Sequence, residues 1–210
     1  MILSGHQPTL LSALWSTDGG VNRALRGAVL AFVGTLLLTL SAKIQVPFYP
    51  VPMTMQTLMV LALGMAYGWR LGAATLLLYM AEGAMGLPVF AGTPEKGIGL
   101  AYMMGGTGGY LVGFVLAAMA TGWLAEKGWD RSVQGTALAM LIGNAIIYVP
   151  GVLYLGLLFG WDKPIVEWGL TPFILGDAVK LALAATIMPL AWKALGKAPG
   201  MTPGKTDKAS

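Results

Sequence analysis

The chain of 210 residues is 56% hydrophobic and only 10% charged, and its mean hydropathy is +0.71. A soluble domain has about 25% charged residues, so this composition predicts an integral membrane protein with no separate soluble domain of ordinary size. The sequence has no cysteine and one histidine, His6, before the first apolar segment, so disulfides, metal sites and histidine-based catalysis are not expected. The net charge of +4 is attributed to loops that orient the chain, not to nucleic-acid binding.

Six apolar segments follow one another along the chain, most of them near the length that crosses the hydrocarbon core of a bilayer. We predict spans at about residues 23–41, 54–67, 71–86, 110–124, 133–159 and 172–194. The expected fold class is an all-α integral membrane protein of six transmembrane helices with structured external loops. Its parts would be an N-terminal arm (1–22), a six-helix membrane domain (23–195) and a disordered polar tail (196–210).

The first predicted span carries small residues at three- and four-residue spacing, so one of its faces can approach another helix closely. These residues are Ala24, Gly27, Ala28, Ala31 and Gly34. The pattern leaves two interpretations open. The face either packs inside the bundle or receives a partner helix.

Two segments between spans have compositions that predict structured loops. Segment 43–57 contains three prolines within six residues, which prevents a continuous helix and favours an extended, stiff chain. Segment 87–109 is long and glycine-rich, and its aromatic and apolar content indicates packing against the bundle rather than disorder. Its glycines do not form a phosphate-binding loop, because no basic residue follows them at the required place.

The distribution of basic residues predicts the orientation of the chain. Six spans place both termini on one side, and that side collects Arg23, Arg26, Arg70, Lys127, Arg131, Lys193, Lys197, Lys205 and Lys208. The opposite side has only Lys43, Lys96 and Lys163. The positive-inside rule therefore predicts that both termini are cytoplasmic, in the cytoplasmic membrane of a prokaryote.

Asp177 and Lys180 are the residues of the predicted spans that are most costly to bury. A charge at the bilayer centre costs about 2.5 to 3.5 kcal/mol on insertion scales, so such residues are usually paired, internal and functional. Three positions apart on a helix, they share one face and can contact each other or the same ligand. They are either a structural ion pair or part of a binding site.

Further polar residues fall toward the external ends of their predicted helices. They are Gln56, Glu82 with Tyr79 on its face, Asn144 and Tyr148, in addition to Asp177 and Lys180. Together they predict a pocket for a small, partly apolar ligand that has hydrogen-bond donors and an acidic group. Glu82 has a second interpretation, as a carboxylate that reaches water at the interface. An intramembrane enzyme that uses Asp177 and Lys180 for acid–base chemistry is the alternative function.

Four motifs in order resemble the BioY family over about residues 24–195. They are Pro50-Val-Pro-Met-Thr-Met-Gln-Thr57, Leu78-Tyr-Met-Ala-Glu-Gly-Ala-Met-Gly-Leu-Pro-Val-Phe-Ala-Gly92, Gly105-Gly-Thr-Gly-Gly-Tyr-Leu-Val-Gly-Phe114 and Gly176-Asp-Ala-Val-Lys180. The resemblance implies a non-enzymatic subunit, the S component of an energy-coupling-factor (ECF) transporter, which captures biotin from outside. It also implies a transmembrane T subunit and two ATPase subunits that use ATP, while this chain binds no cofactor or metal of its own.

The resemblance also implies roles for individual residues. Ala24 and Ala28, with Ala31 one turn on, resemble a docking signature for the T subunit. Asp177 would accept from the ureido ring of biotin, Asn144 or Lys180 would donate to it, and Lys180 is the alternative partner of the carboxylate. Tyr49, Phe90 and Tyr110 would contact the apolar part of the ligand. Transport without the ATPases, by a stand-alone protein or a homo-oligomer, stays open.

Overall fold

The structure is a computed structural model that describes residues 7–14 and 20–196. Nearly all of the predicted C-terminal tail and parts of the N-terminal arm lie outside the described residues. The helices are α1 (Leu10–Leu14), α2 (Gly20–Lys43), α3 (Gln56–Ala84), α4 (Gly99–Met103), α5 (Gly108–Ala125), α6 (Val133–Phe159), α7 (Ile165–Gly169) and α8 (Thr171–Ala194), with a 3₁₀ turn at Trp129–Arg131. Strands β1 (Gln45–Val46) and β2 (Met53–Thr54) pair antiparallel.

The described part of the chain is an all-helical membrane protein, as its composition predicts. It has five helical segments that are long and apolar enough to cross a membrane: Arg23–Lys43, Gln56–Ala84, Gly108–Ala125, Val133–Phe159 and Ile165–Ala194. The second and third spans predicted from the sequence both fall within α3. The glycine-rich segment 87–109, expected to be packed, contains the short helix α4 and buries Phe90 and Tyr102.

Helix α3 reverses direction at Gly68, where φ is +80° and ψ is 169°. In a straight helix Gly64 and Gly72 would be about 12 Å apart, yet a Cβ added to Gly72 would lie 3.2 Å from the Cα of Gly64. Similarly, Gln56 Nε2 lies 2.7 Å from the hydroxyl of Tyr79, 23 positions further along α3. The two arms of α3, residues 56–67 and 69–84, therefore form a helical hairpin.

Glycine allows the central helices to approach closely. A Cβ added to Gly64 would lie 2.5 Å from Thr121 Oγ1 and 2.6 Å from the carbonyl oxygen of Ala118, so α3 and α5 touch almost backbone to backbone. Helix–helix contacts through small residues are typical of membrane bundles. Helix α2 is more peripheral, and its Phe32 and Leu40 side chains are exposed.

The two ends of the bundle have different chemistry. At one end, here called the basic end, Trp192 Nε1 donates to Asp130 Oδ2 (2.7 Å), and the Arg131 guanidinium lies 4.5 Å from the centre of the Trp192 ring. Burial raises the pKa of Asp130 to about 6. The α1 segment packs at this end, since Arg26 donates to the carbonyl oxygen of Leu11 (3.0 Å). The other end, here called the loop end, contains β1, β2, α4 and α7.

Gly64→Ala is expected to lower the unfolding temperature of the purified protein, because its Cβ would have to displace the backbone of α5. Overpacking of this kind costs about 1 to 3 kcal/mol. Gly27→Ala is the matched control, since a Cβ at that helical glycine meets nothing within 4 Å, and alanine favours a helix by about 1 kcal/mol. Equal unfolding temperatures for the two variants would contradict close packing of α3 on α5.

Candidate ligand site at the loop end

A buried ion pair lies within the first three turns of α8. Lys180 Nζ lies 3.0 Å from Asp177 Oδ1, and the two residues are only 5% and 6% exposed. The i, i+3 spacing brings both side chains to the inner face of the helix. The pair predicted from the sequence therefore exists, and it faces the bundle.

Two hydroxyl groups from other helices complete the coordination of this pair. Thr57 Oγ1 on α3 accepts from Lys180 Nζ (2.9 Å) and donates to Asp177 Oδ1 (3.3 Å). Tyr148 on α6 donates to Asp177 Oδ2. Both carboxylate oxygens thus have partners, as a buried ion pair requires. The cluster of Asp177, Lys180, Thr57 and Tyr148 joins three helices and is called the polar cluster below.

A small cavity of about 40 Å³ lies beside the polar cluster. It is lined by Val51, Pro52, Thr54, Gln56, Thr57, Phe90, Ala91, Tyr102, Thr107, Tyr110, Leu111, Phe114, Ile147, Tyr148, Phe173 and Lys180. A water needs at least about 10 to 15 Å³, whereas ligand sites usually measure about 300 to 1,000 Å³. The structure therefore shows a narrow cavity, which has to widen to admit an organic ligand.

Aromatic rings form one wall of this cavity. The Phe90 ring stacks on Tyr102, with centroids 4.9 Å apart and an interplanar angle of 14°, and it meets Tyr79 edge-on at 5.4 Å. Phe90 also lies directly on Gly83, where a Cβ would overlap its ring. On the other wall, the Tyr110 hydroxyl donates to the carbonyl oxygen of Gly169 (2.7 Å).

Gln56 connects the cavity to the glycine-rich segment. Its side-chain amide donates to the Tyr79 hydroxyl (2.7 Å), which in turn donates to the carbonyl oxygen of Val89 (2.8 Å). A buried glutamine needs such partners. Tyr79 is fully buried behind the cavity wall and does not line it.

Five of the site residues predicted from the sequence line the cavity: Gln56, Phe90, Tyr110, Tyr148 and Lys180. Asp177 lies beside it, bonded to three lining residues, Thr57, Tyr148 and Lys180. The structure thus brings most of the predicted polar set to one place, as expected for residues near the same ends of neighbouring helices.

Three other predicted residues lie elsewhere. Glu82, 9% exposed, accepts from Thr35 Oγ1 of α2 (3.0 Å), so it faces α2 rather than the cavity and does not reach water. Tyr49 is 76% exposed and lies edge-on to Phe159 and Trp168 outside the cavity. Asn144 does not line the cavity, and its buried side-chain oxygen has no hydrogen-bond partner within the described residues.

The structure also adds lining residues that the sequence did not single out, among them Thr57, Tyr102, Thr107 and Phe173. Two of these residues have a feature in the sequence that could have indicated a place in the site. Thr57 follows Gln56 in the same motif, and Tyr102 is, with Phe90, one of two aromatic residues in segment 87–109. A loop without periodicity does not indicate which of its side chains points inward.

The small residues of α2 are divided between two faces. Ala24 and Ala28 are exposed, whereas Ala31 is 7% exposed and packs inside the bundle. Gly34 also faces inward, since a Cβ there would lie 2.5 Å from Thr75 of α3. Internal packing therefore holds for Ala31 and Gly34, whereas Ala24 and Ala28 form an exposed small-residue face, for which docking of a partner helix stays a prediction.

Comparison with known proteins places the chain in a family. The BioY family model matches residues 13–197. The chain is 37% identical over 163 residues to the biotin transporter BioY of Thermotoga maritima. This match covers 78% of this chain and 94% of that protein. It is 35% identical over 179 residues to the biotin transporter BioY of Rhizobium etli, 82% and 91% of the two chains. The fold is similar to the crystal structure of the S-component for biotin from an ECF-type ABC transporter, with a TM-score of 0.69, 22% identity and coverage of 84% and 95%.

The charges of the polar cluster should stabilise the ligand-free protein only as a pair. Lys180→Met leaves a buried carboxylate without its cation, and breaking a buried pair costs about 3 to 5 kcal/mol. The double variant Asp177→Asn/Lys180→Met removes both charges and is expected to recover a measurable part of the lost unfolding temperature. A double variant that loses the sum of the two single losses would show that the charges do not interact.

Proposed function

Because the chain belongs to the BioY family, we propose that it binds biotin at the loop end and acts in biotin uptake as the S component of an ECF transporter. The curated relatives support this function, since they are named biotin transporters and most of their length is matched. The one structural observation that carries the proposal is the polar cluster beside a narrow, aromatic-walled cavity. A transporter needs such a binding site but no catalytic group.

The chemistry of biotin fits the groups around this cavity. Its ureido ring has two N–H donors and one carbonyl acceptor, while its thiophane ring and alkyl chain are apolar. The Asp177 carboxylate accepts from the ureido N–H groups and the Lys180 ammonium donates to its carbonyl. Phe90 and Tyr110 contact the apolar part. The unpartnered side-chain oxygen of Asn144 is a further acceptor one turn from Tyr148, within reach of a widened cavity.

The charge balance of the polar cluster favours one orientation of the ligand. The ammonium of Lys180 is already neutralised by Asp177, at 3.0 Å. A biotin carboxylate placed there would bring a second anion next to Asp177, and like charges in a buried site repel each other. The ureido ring introduces no charge. We therefore assign the ureido end of biotin to Asp177 and Lys180.

The topology that we propose has six transmembrane segments. The reversal at Gly68 supports two crossings by α3, so residues 23–195 form the membrane domain with six spans. Arg70, Lys127, Arg131 and Lys193 belong to the basic end, so the positive-inside rule puts that end and both termini in the cytoplasm of a prokaryote. The loop end, with the cavity, then faces outward.

The exposed alanines of α2 form the surface that we propose for a partner subunit. We assign Ala24 and Ala28 to contact with a transmembrane T subunit, whose two ATPase partners supply the energy from ATP, and we leave the buried Ala31 out of this surface. Small residues let two helix backbones approach closely in a membrane. The alternative is transport by this chain alone or by a homo-oligomer of it. Co-purification and uptake measurements with α2 variants distinguish the two.

Purified protein is expected to bind biotin, and Asp177→Asn and Lys180→Met are each expected to weaken binding by about ten- to a hundredfold, as the loss of a buried charge-assisted hydrogen bond implies. Isothermal titration calorimetry on the detergent-solubilised protein measures this. The double variant is the control for folding, because it keeps an uncharged polar cluster. Wild-type protein that is folded but releases no binding heat and retains no labelled biotin would refute the proposal.

Bulky residues on the exposed face of α2 should disrupt a complex without changing the ligand site. Ala24→Leu/Ala28→Leu is expected to abolish co-purification with the T and ATPase subunits of the source organism and to stop uptake, while biotin affinity stays unchanged. Ala182→Leu, at an exposed alanine of α8, is the matched control. Uptake that survives in cells lacking the T and ATPase subunits would instead support transport by this chain alone.

A further inference from the structure

We propose that Lys43 is a positioning residue for the ligand site: its ammonium holds segment 90–93 so that Phe90 stays in the cavity wall. The proposal rests on the proposed function, because Phe90 matters only if the cavity receives a ligand. Lys43 itself does not line the cavity. Its effect on binding would therefore be transmitted through the segment that it holds.

The contacts of Lys43 are concentrated on this one segment. Its Nζ lies 3.0 Å from the carbonyl oxygen of Phe90, 3.0 Å from that of Thr93 and 2.9 Å from Thr93 Oγ1. Thr93 Oγ1 also donates to the carbonyl oxygen of Phe90 (2.7 Å). An ammonium has three N–H donors, and here all three point to neutral oxygen atoms of segment 90–93.

Besides Lys43, segment 90–93 is supported by two backbone hydrogen bonds, from Thr93 N–H to the carbonyl oxygen of Phe90 (3.4 Å) and from Lys96 N–H to that of Gly92 (2.8 Å). Gly92 has a φ of +69°, and residues 94–96 immediately after the segment are exposed. On the preceding side, the Tyr79 hydroxyl holds the carbonyl oxygen of Val89 (2.8 Å). Phe90 is thus bracketed by two side chains, Tyr79 from α3 and Lys43 from α2, which together keep its ring on Gly83 and against Tyr102.

The position of Lys43 at the end of α2 connects it to the proposed docking surface. Lys43 is the last residue of α2, and Ala24 and Ala28 lie on the same helix toward its other end. A shift of α2 against the bundle would move the ammonium relative to segment 90–93. Lys43 therefore links the helix that we assign to partner docking with the wall of the ligand cavity.

Lys43→Met tests this role, since it keeps the length of the side chain and removes all three donors. We expect the dissociation constant for biotin to rise about tenfold, equivalent to about 1.4 kcal/mol, with little change in the unfolding temperature of the ligand-free protein. Lys43→Arg, which retains donors, is expected to stay within about threefold of wild type. Lys163→Met is the matched control, because Lys163 is an exposed loop-end lysine paired with Asp162 (2.9 Å).

A double-mutant cycle separates positioning from direct contact. In a Phe90→Ala background, Lys43→Met is expected to change the affinity less than twofold, because the ring that it positions is gone. Additive effects of the two substitutions, or wild-type affinity in Lys43→Met, would overturn the proposal. Failure of the wild-type protein to bind biotin is a different result, since it refutes the proposed function itself.

Discussion

The buried ion pair of Asp177 and Lys180 is the constraint on which the loop end of this protein depends. Removing two charges from water costs several kcal/mol per ion, and mutual attraction offsets this only when other polar groups bind both partners. Here those groups are Thr57 from α3 and Tyr148 from α6. Three helices must therefore meet in one register, and these hydrogen bonds hold the groups of the polar cluster in place.

The core helices and the aromatic wall of the cavity beside the polar cluster are held in place in different ways. The core helices pack through glycines such as Gly64, whereas the aromatic wall belongs to a loop that is held by Tyr79 and Lys43. The cavity of about 40 Å³ is too small for an organic ligand. Hydrogen bonds hold both sides of it: the polar cluster joins α3, α6 and α8, and Tyr79 and Lys43 hold the loop wall.

Family membership and the contacts proposed for biotin are supported by different observations. Membership of the BioY family follows from a match over residues 13–197 and from relatives such as that of Rhizobium etli, which is 35% identical. The solved S-component is 22% identical, so its similarity supports the fold alone. The assignment of individual contacts to biotin instead rests on the geometry of this chain, above all on the neutral charge balance of the polar cluster.

The sequence by itself determined the membrane class, the break between the spans 54–67 and 71–86 and the common helix face of Asp177 and Lys180, because hydropathy and i, i+3 spacing are local properties of the chain. Only the tertiary structure decided that Glu82 bonds to Thr35 of α2, that Tyr49 points outward and that Thr57, Tyr102 and Phe173 reach the cavity. Helical periodicity states which residues share a face, but the neighbour that this face meets depends on how distant segments pack. In loops there is no periodicity, so only packing selects the side chain that points inward.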